Sequence, residues 1–447
     1  MTDTTPMSMS RGSERLRDVN HDRPRPDAGS RAPAARTAER ERQTGRSEPR
    51  VVIATILPPD GTTGVQTHVR EVYDYLTSVG RDVTIVHPRS PGTALAAPVF
   101  AGRLPLEVMS HEAAVMWYRH WHWRFLRRAL RKELAAGDDA VIYAQCPLAA
   151  RAALDVRSVP NQRVVMALHF DGSQADEWVD KDLIRDGGRV YRRIRSLERV
   201  TIPYVDGIVS MSASALQSMR RYGLCIDPSS CQVVPNFTTA PEPVTPVRPA
   251  ADLVTLGGLE IHKNHQYMLH VLAAANRMGR RYTLDIIGDG PTRRPLSHLA
   301  RDLGLENQVR LLGRIPRGRA SLPGHRAYVH AATREVFPFA LIEAMAAGLP
   351  VIAGRTGGIS EMVEHEAQGV FWPLDDPESA ARVLVALLDD EPRRVELATA
   401  ARARFAGNYD ARVVGPVLDD FLATARQHHL DGEAGPPADR RGAEPPS

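Results

Sequence analysis

The sequence predicts an α/β protein of two domains, each built on a parallel β-sheet. Short β-branched runs alternate with helical patterns along most of the chain. One proline-rich stretch, TTAPEPVTPVRPA (238–250), interrupts the alternation, which then starts again. The chain has 447 residues, enough for two or three domains of roughly 100–200 residues each. Strands that alternate with helices favour a parallel sheet covered on both faces.

In the first half, VVIATIL (51–57), VTIVH (83–87), AVIYAQ (140–145), RVVMALH (163–169) and GIVSMS (207–212) read as buried strands. A helix runs from about Val65 to Val79. The four prolines of 238–250 make a stiff, extended linker. Beyond it, LVTLGG (253–258), YTLDIIG (282–288), QVRLLG (308–313), AYVHAA (327–332) and VIAG (351–354) are strands, with helical patterns at 377–389, 391–406 and 409–427. The expected organisation is a tail at 1–48, a first domain at 49–238, a linker at 239–250, a second domain at 251–408, a helix at 409–428 and a tail at 429–447. Both tails carry almost no large apolar residues, so they cannot offset their ordering entropy and are expected to be disordered.

Composition narrows the function classes. Hydrophobic residues make up 43 % and the net charge is +4. That mild, arginine-heavy balance suits phosphorylated ligands, and it lacks the concentrated basic face of a nucleic-acid binder. The arginines of the first tail are interleaved with acids, which reads as a solvated segment. Three cysteines, Cys146, Cys225 and Cys231, form neither a disulfide framework nor a paired zinc pattern. A reducing cytoplasm is expected, with a membrane-peripheral position as the alternative. No run approaches the ~20 apolar residues of a membrane span, and the N-terminus has no apolar core of a secretory signal.

Open parallel sheets bind ligands outside the carboxyl ends of their strands, so the chemistry should lie in the loops there. The strand AYVHAA leads into TREVFPFALIEAMAAG (333–348). Glu335 falls in the loop, Pro338 at the expected helix start, Glu343 on the second turn, and Gly348-Leu349-Pro350 stops the helix. Free N–H groups at a helix start favour an anion such as a diphosphate. A carboxylate beside that anion would repel it, so Glu335 must face something neutral with donors, and sugar hydroxyls fit.

Glu335 and Glu343 form an E-x7-E pair, and the sequence around them resembles the family-4, group-1 retaining glycosyltransferases of GT-B fold. IGDGP (287–291), LIEAMAAGLPVIAGRTGGISEMV (341–363) and GVFWPLDDPESAA (369–381) match that family's pattern in register. The resemblance spans about 50–427 and is strongest over 251–390. It implies two Rossmann-like domains facing across a cleft. It assigns Glu335 to the donor sugar and Glu343 to the nucleotide ribose, with Phe337 beside them on the donor side. LVTLGGLEIHKNH (253–265) resembles the family's diphosphate-binding segment and places its lysine at Lys263, a compact charge suited to phosphates. The family's neighbouring arginine falls on Gly258 here; Arg314, Arg317 or Arg319 could replace it. In VVIATILPPDGTTGVQTHVREVYDYL (51–76), Gly61 and Gly64 correspond to a glycine loop that lets the backbone approach the diphosphate and acceptor. His169 ends the strand RVVMALH, where the family often has a histidine near the reacting sugar. VVPNF (233–237) resembles a P-N-G segment and makes Asn236 a hinge or turn residue.

The resemblance implies transfer of a sugar from a nucleotide-diphosphate sugar, UDP being commonest, to a small-molecule, glycan or lipid-linked acceptor. It implies retention of configuration and no metal or cofactor. A sugar-nucleotide epimerase or phosphorylase of the same fold, or a non-catalytic binding protein, are the alternatives. Nucleotide-dependent redox needs GxGxxG at the first strand turn, and that turn reads GTTGVQ. Other signals read as structural. Asp180-Lys181-Asp182 is a literal DxD, but it sits in a charged loop or helix and follows no strand. His68, a turn inside its helix, reads as packing or surface. MWYRHWHWRFLRRALRK (116–132) reads as an amphipathic helix packed on the sheet, the alternatives being a membrane-surface or acceptor-binding helix.

Overall fold

The computed structural model describes residues 48–90, 96–135, 137–224, 227–241, 250–315 and 318–425. The expected tails, apart from Glu48, and most of the linker lie outside them, as do Cys225 and Arg317.

The described chain forms two six-stranded sheets. The first comprises β1 (Arg50–Ala54), β2 (Val83–Val86), β3 (Ala140–Ala144), β4 (Gln162–Leu168), β5 (Gly207–Ser210) and β6 (Cys231–Val233) in the order β2-β1-β3-β4-β5-β6. The second comprises β7 (Leu253–Leu256), β8 (Leu284–Ile287), β9 (Val309–Gly313), β10 (Ala327–His330), β11 (Val351–Gly354) and β12 (Gly369–Trp372) in the order β12-β11-β10-β7-β8-β9. Every pairing of these strands is parallel. Helices cover both faces, so the central strands are continuous apolar runs; Val51, Val52, Ile53 and Ala54 are all fully buried.

All ten expected strands are present. β6 and β12 are additional. Both are edge strands, of three and four residues. Strand order reverses at β1, flanked by β2 and β3, and at β7, flanked by β8 and β10. Those two switch points open the crevices in which an α/β sheet binds ligands.

The chain crosses between the sheets twice, and the crossings run side by side. Thr238 N–H donates to the Tyr409 carbonyl at 3.1 Å, and Ala411 N–H to the Thr238 carbonyl at 3.0 Å. The final helix, Ala411–Thr424, therefore lies on the first domain, against the Gly64–Ser78 helix. Asp419 faces the Arg81 guanidinium there at 3.2 Å. Phe237, Phe337 and Tyr409 belong to one apolar cluster that draws on both sheets.

The tryptophan- and arginine-rich segment lies in the helix His111–Glu133 and packs on the sheet. Trp123, Leu126 and Leu130 are buried, and the Trp123 indole N–H donates to Asp155 at 3.1 Å. Among the described residues no helix is long and apolar enough to cross a membrane.

Candidate active site

Lys263 and Glu335 come together because their loops follow β7 and β10, neighbours at the second switch point. β7 runs into Gly257-Gly258 and a short turn, Ile261–Lys263, before the helix His265–Arg277. β10 runs into the loop carrying Glu335. Thr333 N–H donates to the His262 carbonyl at 2.9 Å and ties the two loops. The Lys263 ammonium donates to Glu335 Oε1, and His330 Nε2 lies 3.3 Å from the same oxygen. Only 11 % of the Glu335 side chain is exposed. Burial by itself would raise its carboxyl, but the Lys263 charge and the His330 imidazole hold it down at about 2. Glu335 is therefore ionised at any working pH.

The backbone behind Glu335 depends on two glycines. Gly358 N–H donates to the Glu335 carbonyl at 3.2 Å. A Cβ on Gly357 would lie 1.9 Å from the Glu335 carbonyl oxygen, and one on Gly358 1.8 Å from that of Val336. The pair RTGGIS thus clamps the loop by close backbone contact.

Glu343 stands on the helix Phe339–Ala346, whose N-cap is Pro338; the expected helix start is therefore one residue early. Burial pushes the Glu343 carboxyl up to about 7, with Arg319 and Arg70 pulling down and Glu71 pushing up. Arg319 itself donates to Glu71 at 2.7 Å and to the Thr238 hydroxyl. These contacts commit Arg319 to the Glu343 side of the site and to residues of the first domain. At Gly258, where the resemblance expects an arginine, a Cβ would sit 3.3 Å from the Glu260 carboxylate.

Phe337, expected as a donor-side contact, turns its ring into the core. The ring is 7 % exposed and packs edge-on against Tyr409, 5.7 Å between centroids. That leaves only its backbone for a ligand. Its carbonyl accepts from Asn236 Nδ2 at 2.7 Å. Asn236, expected as a hinge, is a buried bridge between the domains.

In the first domain, Gly61 and Gly64 occupy the turn between β1 and the helix Gly64–Ser78. Thr63 and Gln66 form a reciprocal capping box at the helix start. The Gln66 carboxamide lies 2.0 Å from where a Gly61 Cβ would be, so a side chain there would displace the capping glutamine. A Cβ on Gly64 would meet nothing within 4 Å. His169 follows β4, and its Nε2 lies 3.0 Å from Gln145 Oε1. Its ring stands edge-on to His68 with centroids 4.7 Å apart. Burial lowers both imidazoles, His68 to about 4 and His169 well below the usual histidine range. The His68–His169 contact was not legible from spacing, because 101 positions and three strands separate the residues. His330 could have been found by the strand-end rule that singled out His169.

Two further contacts join the domains. Glu361 accepts from Ala213 N–H at 2.9 Å and Ser214 N–H at 2.8 Å, capping the helix Ala213–Arg221 from across the cleft. Arg334 pairs with Asp180. Asp180 ends the helix Gln174–Asp180, and Lys181 pairs with Glu177 at 2.7 Å. The first aspartate of the literal DxD and its central lysine are thus engaged in ion pairs. Among the described residues no three His, Cys, Asp or Glu side chains gather as a metal site.

Residues 62–239 match the family described as Glycosyltransferase Family 4, and residues 243–404 that of Glycosyl transferases group 1. Glycogen synthase of Mycobacterium tuberculosis is 24 % identical over 394 residues, 83 % of this chain and 93 % of that protein. A GDP-mannose-dependent alpha-(1-6)-phosphatidylinositol monomannoside mannosyltransferase of the same organism is 29 % identical over 181 residues, 38 % of this chain and 46 % of that protein. Among solved structures, Anabaena HepE in complex with UDP and glucose superposes with a TM-score of 0.61 at 16 % identity, over 84 % of this chain and 100 % of HepE. Sucrose-phosphate synthase of Thermosynechococcus elongatus gives 0.63 at 17 %, over 83 % of this chain and 98 % of that one. Two facing families, two parallel sheets with paired switch points, and glycosyltransferases among the relatives agree: the chain belongs to the family-4, group-1 glycosyltransferases of GT-B fold.

Proposed function

We propose that this glycosyltransferase takes a UDP-sugar, transfers the sugar with retention to a hydroxyl of a small-molecule, glycan or lipid-linked acceptor, and needs no metal. The observation that carries the reading is the donor-side arrangement. Lys263 and Glu335 meet at the β7/β10 switch point. The Glu343 carboxyl is pushed up to about 7 by burial, with only the charges of Arg319, Glu71 and Arg70 acting on it besides. A carboxyl so placed suits ribose hydroxyls, which bring their own donors. Lys263 stabilises the departing diphosphate as a point charge, and Glu335 orients the sugar through its hydroxyls. His169 and the Gly61–Gly64 turn, which follow β4 and β1 of the first domain, serve the acceptor side. The leaving diphosphate oxygen takes the acceptor proton on the same face, so no protein nucleophile is required.

UDP is favoured as the nucleotide because solved relatives of this fold are complexes with UDP or UDP-glucose; the mannosyltransferase relative is described as GDP-mannose-dependent. Screening UDP- and GDP-sugars for nucleotide release, then acceptors with the best donor, tests the reading. NMR of the product should show the donor's anomeric configuration, and chelator should leave the rate unchanged. An inverted product, a sugar phosphate or an epimerised donor overturns it.

A further inference from the structure

His68 is a buried histidine on an otherwise apolar helix face, yet both of its ring nitrogens are engaged. Nδ1 lies 3.0 Å from Asn236 Oδ1, and Nε2 lies 3.0 Å from the Tyr143 hydroxyl. The proton positions follow from the partners. Asn236 Nδ2 donates to the Phe337 carbonyl at 2.7 Å, so the amide oxygen is the atom facing His68. His68 therefore carries its proton on Nδ1, and Nε2 accepts from Tyr143. A similar argument fixes His169. Gln145 Nε2 donates to the Tyr143 carbonyl at 3.3 Å, so Gln145 Oε1 faces His169 and His169 is protonated on Nε2.

The two imidazoles stand 4.7 Å apart at 76°, edge against face. This arrangement restricts rotation of the His169 ring, which a smaller or flexible neighbour would permit. The chain of contacts does not end at His68. Asn236 sits at the first crossing between domains, and the carbonyl it holds belongs to Phe337, two residues beyond Glu335. An apolar side chain would fill the His68 site without any need for partners. A polar group satisfied on both sides, one partner reaching into the other domain, specifies geometry.

We propose that His68 is a positioning residue for His169, and that the Asn236 amide couples this pair to the loop carrying Glu335. The proposal rests on reading His169 and Glu335 as groups around the reacting sugar. The edge-on ring of His68 sets the plane of His169. Asn236 makes that setting depend on the Phe337 carbonyl, so the acceptor-side histidine is aligned when the donor-side loop is in place.

Two variants and one measurement on the wild type test this. His68→Gln can keep both hydrogen bonds, through its amide N–H and oxygen, but removes the ring. Asn236→Asp keeps an acceptor for His68 and removes the donor to Phe337. Both should bind UDP within about twofold of wild type, while kcat falls roughly 10- to 100-fold, the cost of misplacing a group by a fraction of an ångström to one ångström. Nitrogen-15 NMR of histidine-labelled wild type should show His68 protonated on Nδ1 and His169 on Nε2. Adding UDP should shift the His169 resonances in wild type and leave them still in Asn236→Asp. Wild-type turnover in either folded variant, the opposite His68 tautomer, or an equal UDP-induced shift in both proteins overturns the proposal. His169→Ala separates the two levels. If it too transfers sugar at the wild-type rate, the underlying assignment of His169 fails. If it is inactive while the folded His68 and Asn236 variants are fully active, only the coupling fails.

Discussion

Lys263 and Glu335, 72 residues apart, form an ion pair at the crevice where β7 and β10 lie side by side. The two groups assigned to the donor, one to its diphosphate and one to its sugar, are thus each other's partners. A diphosphate beside Lys263 competes with Glu335 for the ammonium, and Glu335 then has lone pairs to offer to sugar hydroxyls. On the proposed donor reading, the pair holds both groups in place before the donor arrives, which would pre-organise the site.

Glu335→Gln removes the charge and keeps the shape. Sugar transfer should fall by roughly 100-fold or more, while the circular dichroism spectrum and cooperative unfolding are retained. Transfer at the wild-type rate would show that Glu335 is not a donor-sugar group. The same substitution should remove a step in acid stability. The wild-type carboxyl is depressed to about 2 from its usual 4.5, so its contribution is present above 4.5 and lost as pH falls toward 2.

Lys263→Ala should weaken UDP binding by roughly 10- to 100-fold, the range of a charge-assisted hydrogen bond worth about 1.5–3 kcal/mol. Calorimetry measures this directly, and an unchanged affinity sinks the diphosphate role. Wild-type binding should also weaken with added salt, because the Lys263 side chain is 23 % exposed and partly screened.

Glu343 should make UDP binding pH-dependent. Its carboxyl is raised to about 7, so near neutrality a substantial fraction is protonated. Ribose hydroxyls donate best to the ionised form, so binding lowers this value and releases a proton. UDP affinity should therefore rise with pH through about 7 and level off above it. Calorimetry in buffers of different ionisation enthalpy should detect the released proton. Glu343→Gln should flatten the profile; a profile that keeps its slope in that variant assigns the titration elsewhere.

Glu361 caps a first-domain helix from the second domain. Glu361→Ala should cost about 1 kcal/mol in denaturant unfolding, the usual worth of an N-terminal cap. Ser212 caps Ala215 within the same helix, so the helix itself should survive. No loss of stability would show that the contact contributes nothing net.

Gly358→Ala is expected to be far more disruptive, because its Cβ would lie 1.8 Å from a backbone oxygen. Neither that carbonyl nor Gly358 can shift without moving the Glu335 loop. Loss of soluble, folded protein or of activity is expected; a variant with wild-type stability and activity refutes the clamp.

The sequence by itself determined the class of fold and ten of the strands, and it singled out Glu335, Glu343 and Lys263 as candidates. Those features are local: β-branched runs, a proline-rich break, and an E-x7-E pair whose flanks keep one register along a loop and a helix. It also marked Gly258 as a place without a cation. Tertiary structure decided what depends on contacts between distant segments. Sheet order brought Lys263 to Glu335. The return crossing laid Ala411–Thr424 on the first domain. Core packing turned Phe337 inward and left its carbonyl to Asn236. The edge strands β6 and β12 were not marked by their local pattern, and the contact of His68 with His169 brings the helix after β1 to the end of β4 past the intervening β3, which no linear spacing encodes.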